Sequence, residues 1–358
     1  MMNIELPKKE INGLSMLISI CIPQYNRIKF LLESLRIIEQ QEYPHIEIII
    51  SDDCSTDETE SKILGLSGDY KYRIRYSKNR TNLGYDRNLR KAISLASGEY
   101  VIIIGNDDTI NPAYNLEELV QFIQMNNYPD IGFTNYIDEG DQYITKRAQE
   151  TKVLGSGPEM ALKYYSCFSF VGGIVIKREV FLKYDTEKYD GSIYTQIYMA
   201  CMVVASGYVL FSISAPVVIK DVLHKEKDRL SYLDFIPKKW SGYKRIDGGL
   251  PSVLHVLISA LKDSGTLSQN LVYKAFRKIY FTTLPYWILE YRKQGAFPAA
   301  VGIIHGMFPL TVKNREKMTG FSQLKIFSLY IGTSAGSLVF PIGLFEKIKP
   351  KLYNWIKK

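Results

Sequence analysis

The sequence predicts an α/β fold followed by a helical carboxyl-terminal region. Three observations lead there: β-branched apolar runs that stop abruptly at polar residues, helical periodicity between them, and a change of charge in the last third of the chain. Ser19-Ile-Cys-Ile-Pro-Gln24 is the first run and Ile48-Ile-Ile-Ser51 the second. Such runs are the pattern of buried parallel strands, and their polar ends deliver groups to the carboxyl edge of the sheet, where open α/β sheets bind ligands. Between them, Ile28 to Glu42 places Phe30, Leu31, Leu35 and Ile38 roughly on one helical face, and Pro44 ends that helix. Arg73 to Ser77 reads as a further strand and Asn82 to Leu95 as a polar turn entering a helix. Glu99-Tyr-Val-Ile-Ile-Ile104 then runs as a buried strand into Gly105-Asn-Asp-Asp108.

Carboxylates therefore cluster at the ends of two strands, Asp52 and Asp53 on one, Asp107 and Asp108 on the other. Right-handed crossovers put both pairs on the same edge. Asp residues also start turns and cap helices. Two pairs at the ends of buried strands favour instead a hard divalent cation, Mg2+ or Mn2+, which removes the like-charge repulsion and carries phosphate oxygens.

Pro23-Gln-Tyr-Asn-Arg27, Asp52-Asp-Cys-Ser-Thr-Asp57, Asn82-Leu-Gly84, Ala92-Ile-Ser-Leu-Ala-Ser-Gly-Glu-Tyr100 and Asn106-Asp-Asp108 occur in an order and spacing that resemble family 2 glycosyltransferases of the Rossmann-like GT-A fold. The resemblance covers about residues 15 to 225. It implies a nucleotide-sugar donor, a divalent metal, and direct displacement at the anomeric carbon with inversion. By position, Pro23, Tyr25 and Asn26, with Arg27 beside them, fall where the family's first strand ends against the nucleoside, and Asp52 or Asp53 where a carboxylate accepts a hydrogen from the base. Asn82, Gly84 and Arg87 fall where the family closes over base, ribose and diphosphate. The residue types suit those places: an aromatic ring to stack on, a glycine for close backbone approach, a guanidinium to fork onto phosphate.

Two departures stand out. The family's metal motif reads Asp-x-Asp, and alignment on Ile104 puts Gly105 at its first Asp. Asp107 is then the expected metal ligand, with Asp108 and Asn106 orienting ribose, water or the donor sugar. The family also carries Glu-Asp about a dozen residues before a Gly-Tyr pair, and counting back from Gly207-Tyr208 reaches Thr195-Gln196, neither of which takes a proton at neutral pH. An inverting transfer needs a proton acceptor near the acceptor hydroxyl. Asp190 is the nearest upstream carboxylate and the candidate base, although Asp190-Gly191 also reads as a plain turn. Gln196 is a candidate to position the acceptor, and His224 to meet metal or diphosphate. Phe170-Val-Gly-Gly173 falls on the acceptor side, where a glycine pair beside an apolar strand admits a close approach.

The 358 residues, 46% hydrophobic and 23% charged, allow two or three domains of ordinary globular composition. Cys21, Cys54, Cys167 and Cys201 lack zinc-ligand spacing and read as reduced thiols of a cytosolic protein. Met1 to Gly13 is polar and carries no signal-peptide pattern. From Lys274 to Lys358 there are fourteen Lys or Arg against three Glu, a net of +11 in a chain whose formal charge is +8. The same segment holds apolar and aromatic clusters, Ile279 to Leu289, Phe297 to Val312 and Phe327 to Phe345, the last uncharged throughout. Basic, aromatic and apolar together suit an anionic membrane surface, with an interfacial or re-entrant helix ahead of a true span because Gly332, Gly336, Pro341 and Gly343 interrupt the run. Packing on the catalytic half or on a second subunit is the other use of such helices. No nucleic-acid motif accompanies the basic charge.

The expected organisation is a catalytic domain over 1–235, its donor half about 15–110 and its acceptor half about 111–235, then a membrane-associating helical region over 236–358. The junction lies near Asp234 to Trp240. Gly191-Ser-Ile-Tyr-Thr-Gln196, in place of the acidic pair, most resembles the abequosyltransferase-like branch. That resemblance implies a bacterial enzyme at the cytoplasmic face of the membrane, adding a sugar to a polyprenyl-diphosphate-linked glycan in O-antigen or capsule assembly. A nucleotidyltransferase is the competing enzyme class, but it would carry a Gly- and Lys-rich loop where this chain has Pro23-Gln-Tyr-Asn26. A catalytically inactive nucleotide-binding scaffold of the same fold is the other alternative.

Overall fold

The computed structural model describes residues 16–66, 68–223, 249–310 and 320–356. Its first part is β1 (Ile18–Gln24), α1 (Ile28–Ile38), β2 (Ile46–Asp52), α2 (Thr59–Leu66), β3 (Arg73–Lys78), α3 (Tyr85–Leu95) and β4 (Tyr100–Ile103). These strands are parallel, in the spatial order β3-β2-β1-β4. β1 and β2, apolar on both faces, are almost entirely buried, whereas β3 at the edge holds only exposed and half-buried residues. The direction of winding reverses between β1 and β4, which opens a crevice at their carboxyl ends, the usual ligand position in such sheets.

The second part runs through β5 (Thr109–Ile110), α4 (Leu116–Met125), β6 (Ile131–Asp138), β7 (Ile144–Thr145), β8 (Lys152–Gly155), α5 (Pro158–Tyr164), β9 (Ile174–Lys177), α6 (Arg178–Tyr184), α7 (Thr195–Ala205) and β10 (Leu210–Lys220). β9 lies antiparallel between β4 and β6, and β10 parallel to β6, so the sheet is mixed. β5 pairs antiparallel to the far end of β10, with Ile110 opposite Val218 and Thr109 opposite Ile219. Alternate strand residues feed two cores. Ile18, Ile20 and Ile22 pack with α1 and α4 on one face, while Cys21, Ile49 and Val101 pack with α3 and α7 on the other.

One helix is shorter than expected. α1 stops at Ile38 instead of Glu42, because the apolar stripe ends there and Gln41 turns inward. The Gln41 side chain donates to Asn111 O at 3.1 Å and accepts from Leu116 N at 3.3 Å, which a further helical turn would prevent.

The carboxyl-terminal region is helical: α8 (Gly249–Asp263), α9 (Gln269–Lys278), a π-helical turn (Ile279–Thr283), α10 (Leu284–Lys293), α11 (Phe297–Gly306), α12 (Gly320–Val339) and α13 (Ile342–Ile356). Much of its apolar surface is core. Leu254, Leu257 and Leu261 of α8 join Ile197 and Val203 of α7 in one cluster, and Ile279, Tyr280, Leu284 and Ile288 belong to it as well. Asp263, at the end of α8, accepts from Tyr189 Oη at 2.6 Å, Tyr198 Oη at 3.0 Å and Lys188 Nζ at 2.9 Å. The uncharged run from Phe327 to Phe345 is not one helix. It is broken at Pro341, where α12 and α13 meet at 105°, and among the described residues no single helix is long and apolar enough to cross a membrane. The expected junction at 234–240 lies outside the described residues.

This shared core makes a prediction. Leu257→Ala should lower the urea-unfolding free energy by about 3 kcal/mol, and fluorescence of the carboxyl-terminal helices should report the same transition as nucleotide binding. Loss of the helical signal with nucleotide binding intact would mean that the two parts fold separately.

Candidate donor and metal site

Polar residues at the ends of β1, β2 and β4 meet in the crevice. Gln24, the last residue of β1, is fully buried, and its Nε2 donates to Thr59 Oγ1 at 3.0 Å while its Oε1 accepts from Asn106 Nδ2 at 2.9 Å. Asn26 sits at φ +47°, a left-handed conformation that Asn tolerates better than most residues. Its backbone N donates to Ser55 Oγ at 2.9 Å and its Oδ1 accepts from Thr56 N at 2.7 Å, which stitches the β1 end to the loop after β2. Between them Tyr25 projects with 47% exposure, and Pro23 is half-buried within β1.

The two Asp residues at the end of β2 face different loops. Asp52 accepts from Ser55 N at 2.8 Å and Tyr76 Oη at 2.5 Å and is fully buried. Asp53 accepts from Asn79 Nδ2 at 2.9 Å, Leu83 N at 2.6 Å and Gly84 N at 2.9 Å, and so shapes the loop that leads into α3. Asn82 turns its own Oδ1 onto Gly84 N at 3.0 Å. Gly84 has φ +84°, so a side chain there would be strained even though the space is open.

Beyond β4 the structure gathers three carboxylates. Asp107, Asp108 and Asp221 each offer an oxygen within 4.8 Å of the others. Sequence reasoning placed the first two at the site and gave Asp221 no metal role. Asp221 follows β10, and the β5–β10 register carries it opposite Asp107: Val222 N donates to Asp107 O at 2.7 Å and Asp221 N to Asp108 Oδ1 at 3.2 Å. Gly105 N donates to the other oxygen, Oδ2, at 3.1 Å. Burial first, then the charges of Asp107 and Asp221, push the Asp108 carboxyl up to about 7. Arg27 pairs with Asp107, and Lys220 Nζ lies 2.7 Å from Asp221 Oδ2.

The departure at Gly105 has a steric cause. A Cβ there would lie 2.8 Å from Asp108 Oδ2 and 3.2 Å from Asp107 Oδ1, so the close approach of the two acids excludes a side chain. Gly172 is also constrained: a Cβ there would meet the Phe170 ring at 2.7 Å first and Asp108 Oδ2 at 3.0 Å. The loop holding Gly172 is organised by Arg147, which the sequence gave no reason to select. This buried guanidinium donates to Thr134 O at 2.7 Å, Cys167 O at 3.0 Å, Phe170 O at 2.9 Å and Gly172 O at 2.5 Å.

The acceptor-side residues are placed differently. Arg90 forks onto Asp190 with Nε at 3.1 Å and Nη2 at 2.9 Å, and Arg87 Nε reaches the same carboxylate at 2.9 Å. Asp86 accepts from Ile193 N at 2.8 Å and Thr195 N at 3.4 Å, so α3 holds the whole segment before α7. Gln196 is buried and faces an apolar cavity lined by Leu89, Ile103, Ile174 and Met199, its Oε1 without a hydrogen-bond partner. His224 lies outside the described residues.

The all-oxygen donor set, with one carboxyl pushed up by burial and then by its acidic neighbours, fits a hard divalent cation. Because the Asp108 carboxyl titrates above its ordinary value of 3.8, the metal-free fold favours its proton, and the stability this gives is lost as pH rises from about 4 to about 7. A cation needs the ionised form. Mg2+ or Mn2+ should therefore raise the melting temperature clearly at pH 8 and little at pH 5.5. Equal shifts at both pH values would place the ion elsewhere.

A sequence profile of glycosyl transferase family 2 matches residues 19–185. The abequosyltransferase RfbV of Salmonella typhimurium is 32% identical over 247 residues, which is 62% of this chain and 73% of that protein. The GalNAc(5)-diNAcBac-PP-undecaprenol beta-1,3-glucosyltransferase of Campylobacter jejuni is 34% identical over 94 residues, 26% of this chain and 30% of the relative. In three dimensions, residues 1–349 of S. aureus TarS match with a TM-score of 0.60 at 16% identity, over 90% of this chain and 91% of that one. The same TarS fragment has been solved with UDP-GlcNAc and matches in that form with a TM-score of 0.53. At such identity the structural likeness is one of fold, and it is the GT-A fold. Joined to the profile and to a relative matched over nearly three quarters of its length, it establishes that this chain belongs to glycosyl transferase family 2.

Proposed function

We propose that the protein transfers one sugar, with inversion, from a nucleotide-sugar donor to a hydroxyl of a polyprenyl-diphosphate-linked glycan, in O-antigen or capsule assembly. The observation that carries this reading is the Asp107–Asp108–Asp221 cluster beside the polar ends of β1 and β2. Asp107 and Asp221 would hold Mg2+ or Mn2+, with Asp108 oriented between them by two backbone amides. When bound, the cation neutralises charge on the diphosphate leaving group. Tyr25 offers a stacking face for the base, and the loop shaped by Asp53 brings Asn82 and Gly84 to the ribose and phosphates. Arg27 and Arg87 are the guanidinium groups available to phosphate oxygens. The UDP-GlcNAc complex of TarS and the undecaprenol in the name of the Campylobacter relative support the donor and acceptor classes.

Asp190 is the proposed proton acceptor. Arg90 fixes it from one side, and transfer of Arg87 to the diphosphate would release a carboxylate lone pair at the moment the donor is in place. The carboxyl-terminal region over 236–358 is proposed to hold the enzyme at the cytoplasmic face of the membrane, peripherally or monotopically, which fits its net charge of +11 from Lys274 onward.

Release of nucleoside diphosphate, measured with a panel of nucleotide sugars and a bacterial membrane extract, tests the activity. Turnover is expected with at least one donor and is expected to vanish in Asp107→Asn, which removes a charge and almost no volume. Full activity of that variant, or of the native enzyme in excess chelator, would remove the metal from the mechanism.

Asp190→Asn should slow the chemical step by about 10² to 10⁴ while donor affinity stays within about threefold. A loss below about fivefold at saturating acceptor would exclude Asp190 as the base.

A further inference from the structure

α12 buries two serines and exposes three large aliphatic side chains. Ser334 and Ser337 are buried against the protein with Ile326 and Tyr330, and Ser334 Oγ has no hydrogen-bond partner. Leu324, Ile331 and Val339 face outward, 63%, 60% and 80% exposed, and Lys325 is the one charged residue among the exposed positions of this helix. A water-facing surface helix shows the opposite arrangement. At Pro341 the chain turns 105° into α13, so Val339, Pro341 and Leu344 form an exposed apolar corner.

A helix end leaves carbonyls without intrahelical partners, and an apolar medium cannot satisfy them as water does. At this corner the protein supplies the donor itself. Arg292 of α10 reaches outward with Nη1 donating to Ser337 O at 2.7 Å and Phe340 O at 2.8 Å. The chain continues without waste: Phe340 N donates to Gly336 O at 2.9 Å, and Leu344 N and Phe345 N both donate to Pro341 O at 3.1 Å. Phe345 is fully buried and its ring meets Tyr286, which anchors the start of α13. The carboxylates on these elements are matched by cations, Glu290 by Lys349 at 2.7 Å and Glu346 by Lys293 at 2.9 Å. Lys347, one turn beyond Leu344 on α13, is exposed, and the segment from Lys274 onward carries a net charge of +11. Apolar side chains facing out, carbonyls capped from within and a basic segment are what an anionic lipid leaflet selects.

We propose that the corner formed by residues 339–344 inserts shallowly into an anionic lipid leaflet. It deepens the membrane placement proposed above and is independent of the transfer chemistry. The test uses full-length protein and vesicles of phosphatidylcholine with or without phosphatidylglycerol. Wild-type protein should co-sediment with the anionic vesicles, and the double variant Val339→Asp/Leu344→Asp should bind about tenfold more weakly. Donor-dependent nucleoside diphosphate release by that variant in detergent solution should match wild type within about twofold, which shows an intact fold. Val339→Trp should add fluorescence that lipids brominated on the acyl chains quench. Equal vesicle binding by the double variant, or an added Trp signal that brominated lipid leaves unchanged, would overturn the insertion. A lipid-free dimer broken by Val339→Asp would assign the corner to a second copy of this chain instead. Vesicle binding as expected with no donor turnover in any protein would leave the corner standing and remove the proposed activity.

Discussion

Three carboxylates packed at one sheet edge repel each other, and the surrounding structure is arranged around that cost. At an effective dielectric of about 20, two charges separated by about 5 Å repel by about 3 kcal/mol, more than an ordinary hydrogen bond returns. Among the described residues, Arg27 pairs with Asp107, Lys220 with Asp221, and burial together with the neighbouring charges drives Asp108 toward its neutral form. A divalent cation held by these acids would add positive charge at the point where they converge and would leave Arg27 available to a phosphate.

The packing around the acids also dictates neighbouring residues. Gly105 leaves no room for a Cβ beside Asp108, and at Gly172 a Cβ would meet the Phe170 ring before Asp108. Gly173 stands at φ +79°, where an added Cβ would come within 2.2 Å of Thr134 Oγ1. Holding the chain in that shape requires donors for the carbonyls of the 167–173 loop, and Arg147 provides them. Its guanidinium reaches four backbone carbonyls at once, a role that Lys could not fill.

The first hundred residues were legible because their chemistry is local. The apolar runs of β1, β2 and β4 stop where the strands stop, and the acids that follow them occupy the edge expected of them. Asp221 was not legible as a site residue, since its place depends on the pairing of a two-residue strand with β10 across more than a hundred residues of sequence. Arg147 gave no signal for a related reason: the carbonyls it meets belong to β6 and to the 167–172 stretch, which only the fold brings to it. In the carboxyl-terminal third, apolar content was evident but its direction was not. Ile279, Tyr280 and Ile288 looked available to a membrane and instead complete the core with α7. The break at Pro341 could be read from the residue, whereas the capping of that break by Arg292 could not.

The segment from Asp185 to Tyr198 joins these parts mechanically. On one side α3 holds it through Asp86, Arg87 and Arg90; on the other, Asp263 of α8 takes the hydroxyls of Tyr189 and Tyr198. Asp190 thus lies on a strap fixed at one end to a helix that opens from the donor loop and at the other to the helical region bearing the basic surface. Arg90 is nearly buried and its bidentate contact is fixed, while Arg87 is half-exposed and makes a single contact, so Arg87 is the member that can leave at low cost. A phosphate arriving at the start of α3 would compete with Asp190 for Arg87 and leave the rest of the strap in place. Of the contacts between α3 and the strap, Arg87–Asp190 is the one that a phosphate at the start of α3 would open first, with Arg90 keeping Asp190 in place.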